Sequence, residues 1–147
     1  MRYLILFFSL VLADVGTKFL AVVYAPQGEF LRLVYNNNAA MGIEIGFPYW
    51  KEVSLVLLPV IWFLAKQIKN TNLRYISLSF MLSGALVNSV ERLVSNQGVV
   101  DFWNLSGLVG LPSYYCNFAD IYQWVGYGIL MVAVYKQDEK APKTQKI

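Results

Sequence analysis

Tyr3–Tyr24 (YLILFFSLVLADVGTKFLAVVY) is apolar apart from interruptions at Asp14, Thr17 and Lys18. It reaches the length of about 20 residues that a helix needs to cross a hydrocarbon core. Three further apolar stretches follow: Val53–Ala65, Tyr75–Val94 and Ala119–Tyr135. The second is short and attains spanning length if Phe47 to Lys51 and Lys66 to Ile68 supply its ends. Together the four stretches predict an all-α membrane protein of four transmembrane helices, with both termini on one side.

The composition points the same way. The 147 residues are 57% hydrophobic and 14% charged, against about 25% charged in a soluble domain, and the length fits one domain. There is no histidine and only one cysteine, Cys116. These counts exclude histidine-activated serine and cysteine nucleophiles, HExxH and Cys/His zinc sites, and internal disulfides. No cofactor and no metal is expected. The net charge of +3 is too small to suggest nucleic acid. Met1-Arg2 followed by Tyr3 to Ala13 resembles a secretory signal peptide, but no small-x-small cleavage site follows, and three more apolar stretches also need a membrane.

Basic residues set the orientation. Arg2, Lys66, Lys69, Arg74, Lys136, Lys140, Lys143 and Lys146 fall on one side, and Lys18, Arg32, Lys51 and Arg92 on or toward the other. Both termini are therefore expected in the cytoplasm, with the connections at about 25–50 and 95–118 outside. In the first of these, Glu29–Tyr35 alternates in a way that permits a strand, and Asn36-Asn37-Asn38 signals a turn. Tyr24, Tyr35, Tyr49, Trp50, Trp103, Tyr114 and Tyr115 fit an interfacial aromatic belt. The tail from Lys136 to Ile147 reads as disordered, so the expected unit is a single membrane domain over 1–147 ending in a cytoplasmic tail at 136–147.

Charged residues inside spans cost about 2.5–3.5 kcal/mol each on insertion scales, so each needs a partner or a task. Asp14 and Lys18 share a helix face, as an internal ion pair would. Asn88, Glu91, Arg92 and Ser95 form one polar stripe near the outer end of the third helix, where Arg92 can also snorkel. Asp101 lies in Val99-Val100-Asp101-Phe102, where flanking apolar residues raise a carboxyl pKa by desolvation. Asn117 suits the N-cap of the fourth helix, with Asp120 in its first turn near the dipole. Two carboxylates at one membrane surface, in environments that push their pKa values apart, suit acid/base hydrolysis. An ionised one takes a proton from water while a neutral one polarises the scissile carbonyl.

The order Asp14-Val15-Gly16-Thr17-Lys18, Asn36-Asn37-Asn38-Ala39-Ala40-Met41, Gly84 to Arg92, Val99 to Phe102 and Asn117-Phe118-Ala119-Asp120 resembles the lipoprotein signal peptidases (signal peptidase II), across all four apolar stretches. The resemblance implies an intramembrane aspartic endopeptidase of the bacterial cytoplasmic (inner) membrane. Such enzymes remove signal peptides from diacylglyceryl-modified prolipoproteins by cutting before the lipidated cysteine. It assigns the catalytic roles to Asp101 and Asp120, and the support of dyad and substrate to Asp14, Lys18, Asn36, Asn88, Glu91, Arg92 and Asn117. It also implies a small β-structured extracytoplasmic platform around residues 25–50. The implied partners are lipid-modified prolipoproteins and membrane lipids, with no nucleic acid, and the chain is expected to be a monomer.

Three residues depart from the family pattern: Asn38 and Val87 stand where the family has glycine, and Glu91 where it has aspartate. Asparagine is the next choice after glycine at positive φ, Val87 adds bulk on a packing helix, and Glu91 moves its carboxylate by about 1 Å, a shift that active sites feel. These departures motivate one competing reading, a non-catalytic relative that binds lipoprotein precursors. A small ion-coupled transporter is a second, since intramembrane acids mark ion paths. A serine/lysine peptidase would need a serine beside Lys18, and no outer serine has a nucleophile's context.

Overall fold

The computed structural model describes residues 1–38, 46, 50–110 and 113–139. Five helices and three strands alternate along the chain: α1 (Arg2–Tyr24), β1 (Leu31–Asn36), α2 (Trp50–Ala65), α3 (Thr71–Val94), β2 (Val99–Asn104), α4 (Ser106–Val109), β3 (Tyr115–Cys116) and α5 (Phe118–Glu139). The architecture is mostly helical, with one small antiparallel sheet in the order β1-β2-β3.

Each apolar stretch becomes a long helix. Of these, α1 and α3 have the length and apolarity to cross a membrane. The 16 residues of α2 extend for about 24 Å at 1.5 Å per residue, short of a hydrocarbon core of about 30 Å. The expected contribution of 47–49 to its start lies outside the described residues. At the other end of the chain, α5 continues through Lys136 to Glu139, into the segment expected to be disordered. Gln137 explains this. Its Oε1 accepts from the Lys69 amide, and its Nε2 donates to the Gln67 carbonyl at 3.2 Å. Residues 140–147 lie outside the described residues.

α1 is built inside out. Leu4, Phe8, Leu12, Val15 and Phe19 line an exposed stripe, while Asp14 and Lys18 are buried. A soluble helix reverses this pattern, and a helix whose outer face meets lipid has it.

α3 is central and packs against α1, α2 and α5. Toward α2 it presents Leu78, Met81 and Ala85 to Ile61 and Ala65. Toward α5 the backbones come close. A Cβ built on Gly84 would lie 2.1 Å from the Ala119 carbonyl oxygen, and one on Gly126 2.9 Å from the Met81 nitrogen. Ser77 Oγ also donates to the Gly126 carbonyl at 2.9 Å. Small residues permit this approach, and Ala119 directly precedes one of the expected acids. Gly84→Ala is therefore expected to destabilise the fold by about 1–3 kcal/mol, the usual cost of overpacking. Thermal unfolding in detergent measures it, and an unchanged midpoint would contradict the close contact.

The expected strand is present as β1, but β2 was not legible. Its run Val99 to Asn104 lacks alternation, because four successive residues, Val99 to Phe102, are buried. A short apolar run of that kind does not announce a strand by periodicity. β2 pairs with β1 (Val34 with Asp101, Asn36 with Val99) and with β3 (Trp103 with Cys116). Beneath the sheet, Ala21, Val100 and Phe102 form a small core with Leu33, Trp103 and Phe118. Two expected belt aromatics are therefore structural: Trp103 packs on Phe118 with ring centroids 4.6 Å apart, and Tyr114 stacks on Trp124. Tyr24 and Tyr35 are exposed, as a belt requires. Tyr49 and the Trp50 side chain lie outside the described residues.

Candidate active site

Asp101 and Asp120 come together at the junction of the sheet with the ends of α3 and α5. β2 delivers Asp101, buried between Val100 and Phe102. The first turn of α5 delivers Asp120. There Asn117 acts as the N-cap that its residue type predicts: its Oδ1 accepts from the Asp120 amide at 3.0 Å, and Asp120 Oδ2 accepts from the Asn117 amide at 3.1 Å. This reciprocal pair is a capping box built from asparagine and aspartate.

Asn117 also joins the two acids. Its Nδ2 donates to Asp101 Oδ1 at 2.7 Å while its other groups hold Asp120. The remaining oxygens are met by Asn36, whose Nδ2 donates to Asp101 Oδ2 at 3.1 Å, and by Asn88, whose Nδ2 donates to Asp120 Oδ1 at 2.9 Å. Burial, reinforced by the charge of Asp120, raises the Asp101 pKa to about 7, while the Asn36 and Asn117 amides and the Lys18 charge pull the other way. The desolvation expected from its apolar neighbours is thus present.

Asp14, Lys18 and Glu91 form a network behind the pair. The Lys18 ammonium lies 2.9 Å from Asp14 Oδ2 and 2.7 Å from Glu91 Oε2, and donates to Asn88 Oδ1 at 2.7 Å. The Asp14–Lys18 ion pair therefore exists, but each acid has a second task. Asp14 Oδ1 accepts from the Ala119 amide at 2.7 Å, and Glu91 Oε1 from the Val100 amide at 3.0 Å. Ala119 and Val100 are the residues immediately before Asp120 and Asp101. One lysine thus anchors the backbone beside both acids.

Arg92 does not snorkel. It is buried, its Nε donates to the Asn38 carbonyl at 3.4 Å, and its charge is felt at Asp120 and Asp101. Ser95 leaves the polar stripe, because it caps the end of α3 and its Oγ accepts from the Gln97 amide. Asn38 needs no left-handed backbone: among the described non-glycine residues only Ala25 has positive φ. Its amide instead donates to Asn36 Oδ1 at 2.9 Å, an Asx turn. Gly98, at φ 93°, lets this turn approach, since a Cβ there would lie 2.4 Å from the Asn36 carbonyl oxygen. Val87 is half-buried. Ala39 to Met41 lie outside the described residues.

Two neighbours of the pair had no signal in the sequence. Tyr114 and Cys116 reach it only because β3 pairs with β2. Burial, with the charges of Asp120 and Asp101 adding to it, pushes the Cys116 thiol up to about 12 and raises the Tyr114 phenol as well. Among the described residues no group of three or more His, Cys, Asp or Glu is arranged to hold a metal ion.

The sequence profile of the family described as Signal peptidase (SPase) II matches residues 6–136. The chain belongs to the signal peptidase II family. Membership makes it a signal peptidase, and so a hydrolase. Among its relatives, the lipoprotein signal peptidase of Halalkalibacterium halodurans is 29% identical over 155 residues, covering 97% of each chain. That of Borrelia garinii subsp. bavariensis is 31% identical over 146 residues, covering 84% of each. That of Brevibacillus brevis is 30% identical, covering 95% of this chain and 99% of the relative. The fold is similar to a solved structure described as a bacterial membrane enzyme, with a TM-score of 0.74 at 23% identity, covering 99% of this chain and 94% of that one. A second solved structure with that description gives 0.70.

One consequence of the geometry is a pH effect. Asn36 stabilises the ionised form of Asp101, so its removal raises the Asp101 pKa further. If activity needs one proton on the pair, the alkaline limb of the rate profile reports loss of that proton near pH 7. Asn36→Ala is expected to move this limb to higher pH, by up to about one unit for one lost hydrogen bond. A limb that stays in place would remove Asn36 from the proton's environment.

Proposed function

We propose that the chain is an aspartic endopeptidase that removes the signal peptide of diacylglyceryl-modified prolipoproteins by cutting just before the lipidated cysteine. The observation that carries this reading is Asn117, which holds Asp101 through its side chain and Asp120 through a capping box. Two acids fixed in one frame and sharing a proton act as one unit. The ionised carboxylate draws a proton from water, the water oxygen attacks the scissile carbonyl, and the neutral carboxyl polarises that carbonyl and later protonates the leaving amine. Asp14, Lys18, Asn36, Asn88, Glu91, Arg92 and Asn117 hold the pair and the substrate backbone in place.

In this reading residues 1–147 form a single integral-membrane domain and a monomer. α1, α3 and α5, and α2 together with the residues before it, cross the bacterial inner membrane with both termini in the cytoplasm, and the sheet rests at the extracytoplasmic face. The basic residues at the α2–α3 connection and the end of α5 support that orientation. A lipid-bearing substrate then arrives laterally, already concentrated in the same bilayer. An ion-coupled transporter fits less well, because Asp14, Glu91, Asp101 and Asp120 are joined in one hydrogen-bonded cluster beside the sheet rather than spread along a path through the helices.

The test supplies the protein in lipid with a prolipoprotein before and after diacylglyceryl transfer, and maps the product N-terminus by mass spectrometry. Cleavage only of the modified form, at the lipidated cysteine, is expected. Binding without cleavage would favour the non-catalytic relative, and cleavage elsewhere would overturn the assigned bond.

A further inference from the structure

A groove of about 620 Å³ runs between the start of α3 and the second half of α5, at the end of the helices remote from the acid pair. Leu73, Val125, Ile129 and Val132 make its walls apolar, whereas Asn70, Lys136 and Gln137 close one end with polar groups. Gly128 opens it: a Cβ built there meets nothing within 4 Å, whereas one on Gly126 would press into Met81. The side chain of Gln137 accepts from the Lys69 amide and donates to the Gln67 carbonyl. It thereby holds the α2–α3 connection against the polar end and brings a second lysine there, next to Asn70 in the chain. Among the residues whose side chains are described, no carboxylate pairs with Lys136. We propose that this groove binds one anionic phospholipid, with an acyl chain along the apolar walls and the phosphate beside Lys136.

The inference rests on the membrane-spanning part of the proposed function and is independent of the acid pair. From Val125 to Lys136, α5 rises about 16 Å at 1.5 Å per residue, about half of a hydrocarbon core of about 30 Å. The groove thus has the depth of one leaflet. In the orientation argued above that leaflet is the cytoplasmic one, where anionic headgroups attract basic residues. The connection from Lys66 to Arg74 holds three basic residues and no acid. Asp138 and Glu139 follow Lys136, but Lys140, Lys143 and Lys146 outnumber them. Lys66 is engaged over the Trp62 ring and Arg74 with the Ile68 carbonyl, which leaves Lys136, in the groove lining itself, and Lys69 to meet a phosphate. The rival occupant is the apolar helix of a signal peptide, and charge argues against it. Its basic n-region would meet Lys136 at the same face, where like charges repel. A zwitterionic headgroup carries its own compensating cation and gains less than an anionic one.

The experiment titrates the purified protein in detergent with dioleoyl-phosphatidylglycerol or dioleoyl-phosphatidylcholine, counts bound lipid by native mass spectrometry and follows the unfolding midpoint. Phosphatidylglycerol is expected to bind at least about fivefold more tightly and to raise the midpoint more, while inorganic phosphate leaves it unmoved. Lys136→Gln, at an exposed position, should remove most of that preference. Gly128→Phe fills the groove from a position that has room for it and should release the tightly held molecule of either lipid. Equal affinities in the intact protein, a preference untouched by Lys136→Gln, or unchanged retention of both lipids by Gly128→Phe overturns the site. So does a response to inorganic phosphate equal to that of the lipid, or a KM for prolipoprotein that rises in Gly128→Phe while lipid binding stays the same, the mark of a signal helix in the groove. Cleavage of modified prolipoprotein is assayed on the same samples. A missing preference with cleavage intact removes the lipid site alone, and missing cleavage with the preference intact removes the peptidase alone. Release of the chain from membranes by alkaline carbonate would overturn the spanning reading and the lipid site with it.

Discussion

Asp101→Asn and Asp120→Asn are each expected to lower the rate of signal-peptide removal by roughly 10⁴-fold, and the double variant by little more than either alone. Groups that act as a unit show this non-additivity, because removing either one leaves the other without its task. The asparagine substitution tests chemistry in preference to packing. It keeps the shape of the carboxyl group, but at position 101 it presents one acceptor to two donors, the Asn36 and Asn117 amides.

Stability provides a separate check on the same variant. The raised pKa of Asp101, about 7 in the fold against the ordinary carboxylate range near 4, means that its ionised form opposes folding. The folded state binds a proton that the unfolded state has lost, so wild-type stability falls as pH rises from about 4 to about 7. The asparagine side chain that replaces it does not titrate. The unfolding temperature of Asp101→Asn relative to wild type should therefore climb across that window, whatever constant offset the extra donor imposes. A variant that still cuts at the wild-type rate would sink the dyad, and a flat stability difference would contradict the buried, proton-holding Asp101.

The parts of this site that local spacing controls were legible in the sequence. Asp14 and Lys18, four apart, predicted a shared face and an ion pair, and both are present. Asn117 three residues before Asp120 predicted the cap. What spacing does not encode is the second partner of each group. That Asp14 reaches the Ala119 amide and Glu91 the Val100 amide depends on how α1, α3, α5 and β2 assemble. Ser95 followed the polar stripe in sequence but left it in space, because the helix ends one residue earlier. β2 stayed hidden because burial on both faces removes the alternation that marks a strand. Glu91 illustrates the limit most clearly. In the sequence its extra methylene looked like a disturbance, whereas in the fold its two oxygens serve Lys18 and Val100 at once.

Lys18→Met is expected to be the most damaging change outside the acid pair, costing about 3–5 kcal/mol of stability, the usual penalty for leaving buried charge unpaired. The methionine fills a similar volume but leaves two buried or part-buried carboxylates without their cation. Among the described residues Asp14 Oδ2 meets the Lys18 ammonium and no hydrogen-bond donor besides. Asp14→Asn and Glu91→Gln, added to Lys18→Met, should recover much of that loss, since they remove the stranded charges while retaining acceptors for Ala119 and Val100. They should not restore the rate. With the ammonium gone, the two carboxylates that hold the backbones before Asp101 and Asp120 lose their shared anchor and Asn117 is left to join the acids, so kcat should fall more than KM rises. The lysine charge also favours ionised Asp101, so the alkaline limb of the rate profile should move to higher pH in Lys18→Met, whereas in the triple variant two negative charges leave with the positive one and that upward shift should be cancelled or reversed. Thermal unfolding in detergent together with a pH profile of cleavage separates the two roles, and a triple variant that recovers the wild-type rate would reduce Lys18 to an ion pair inside a membrane helix.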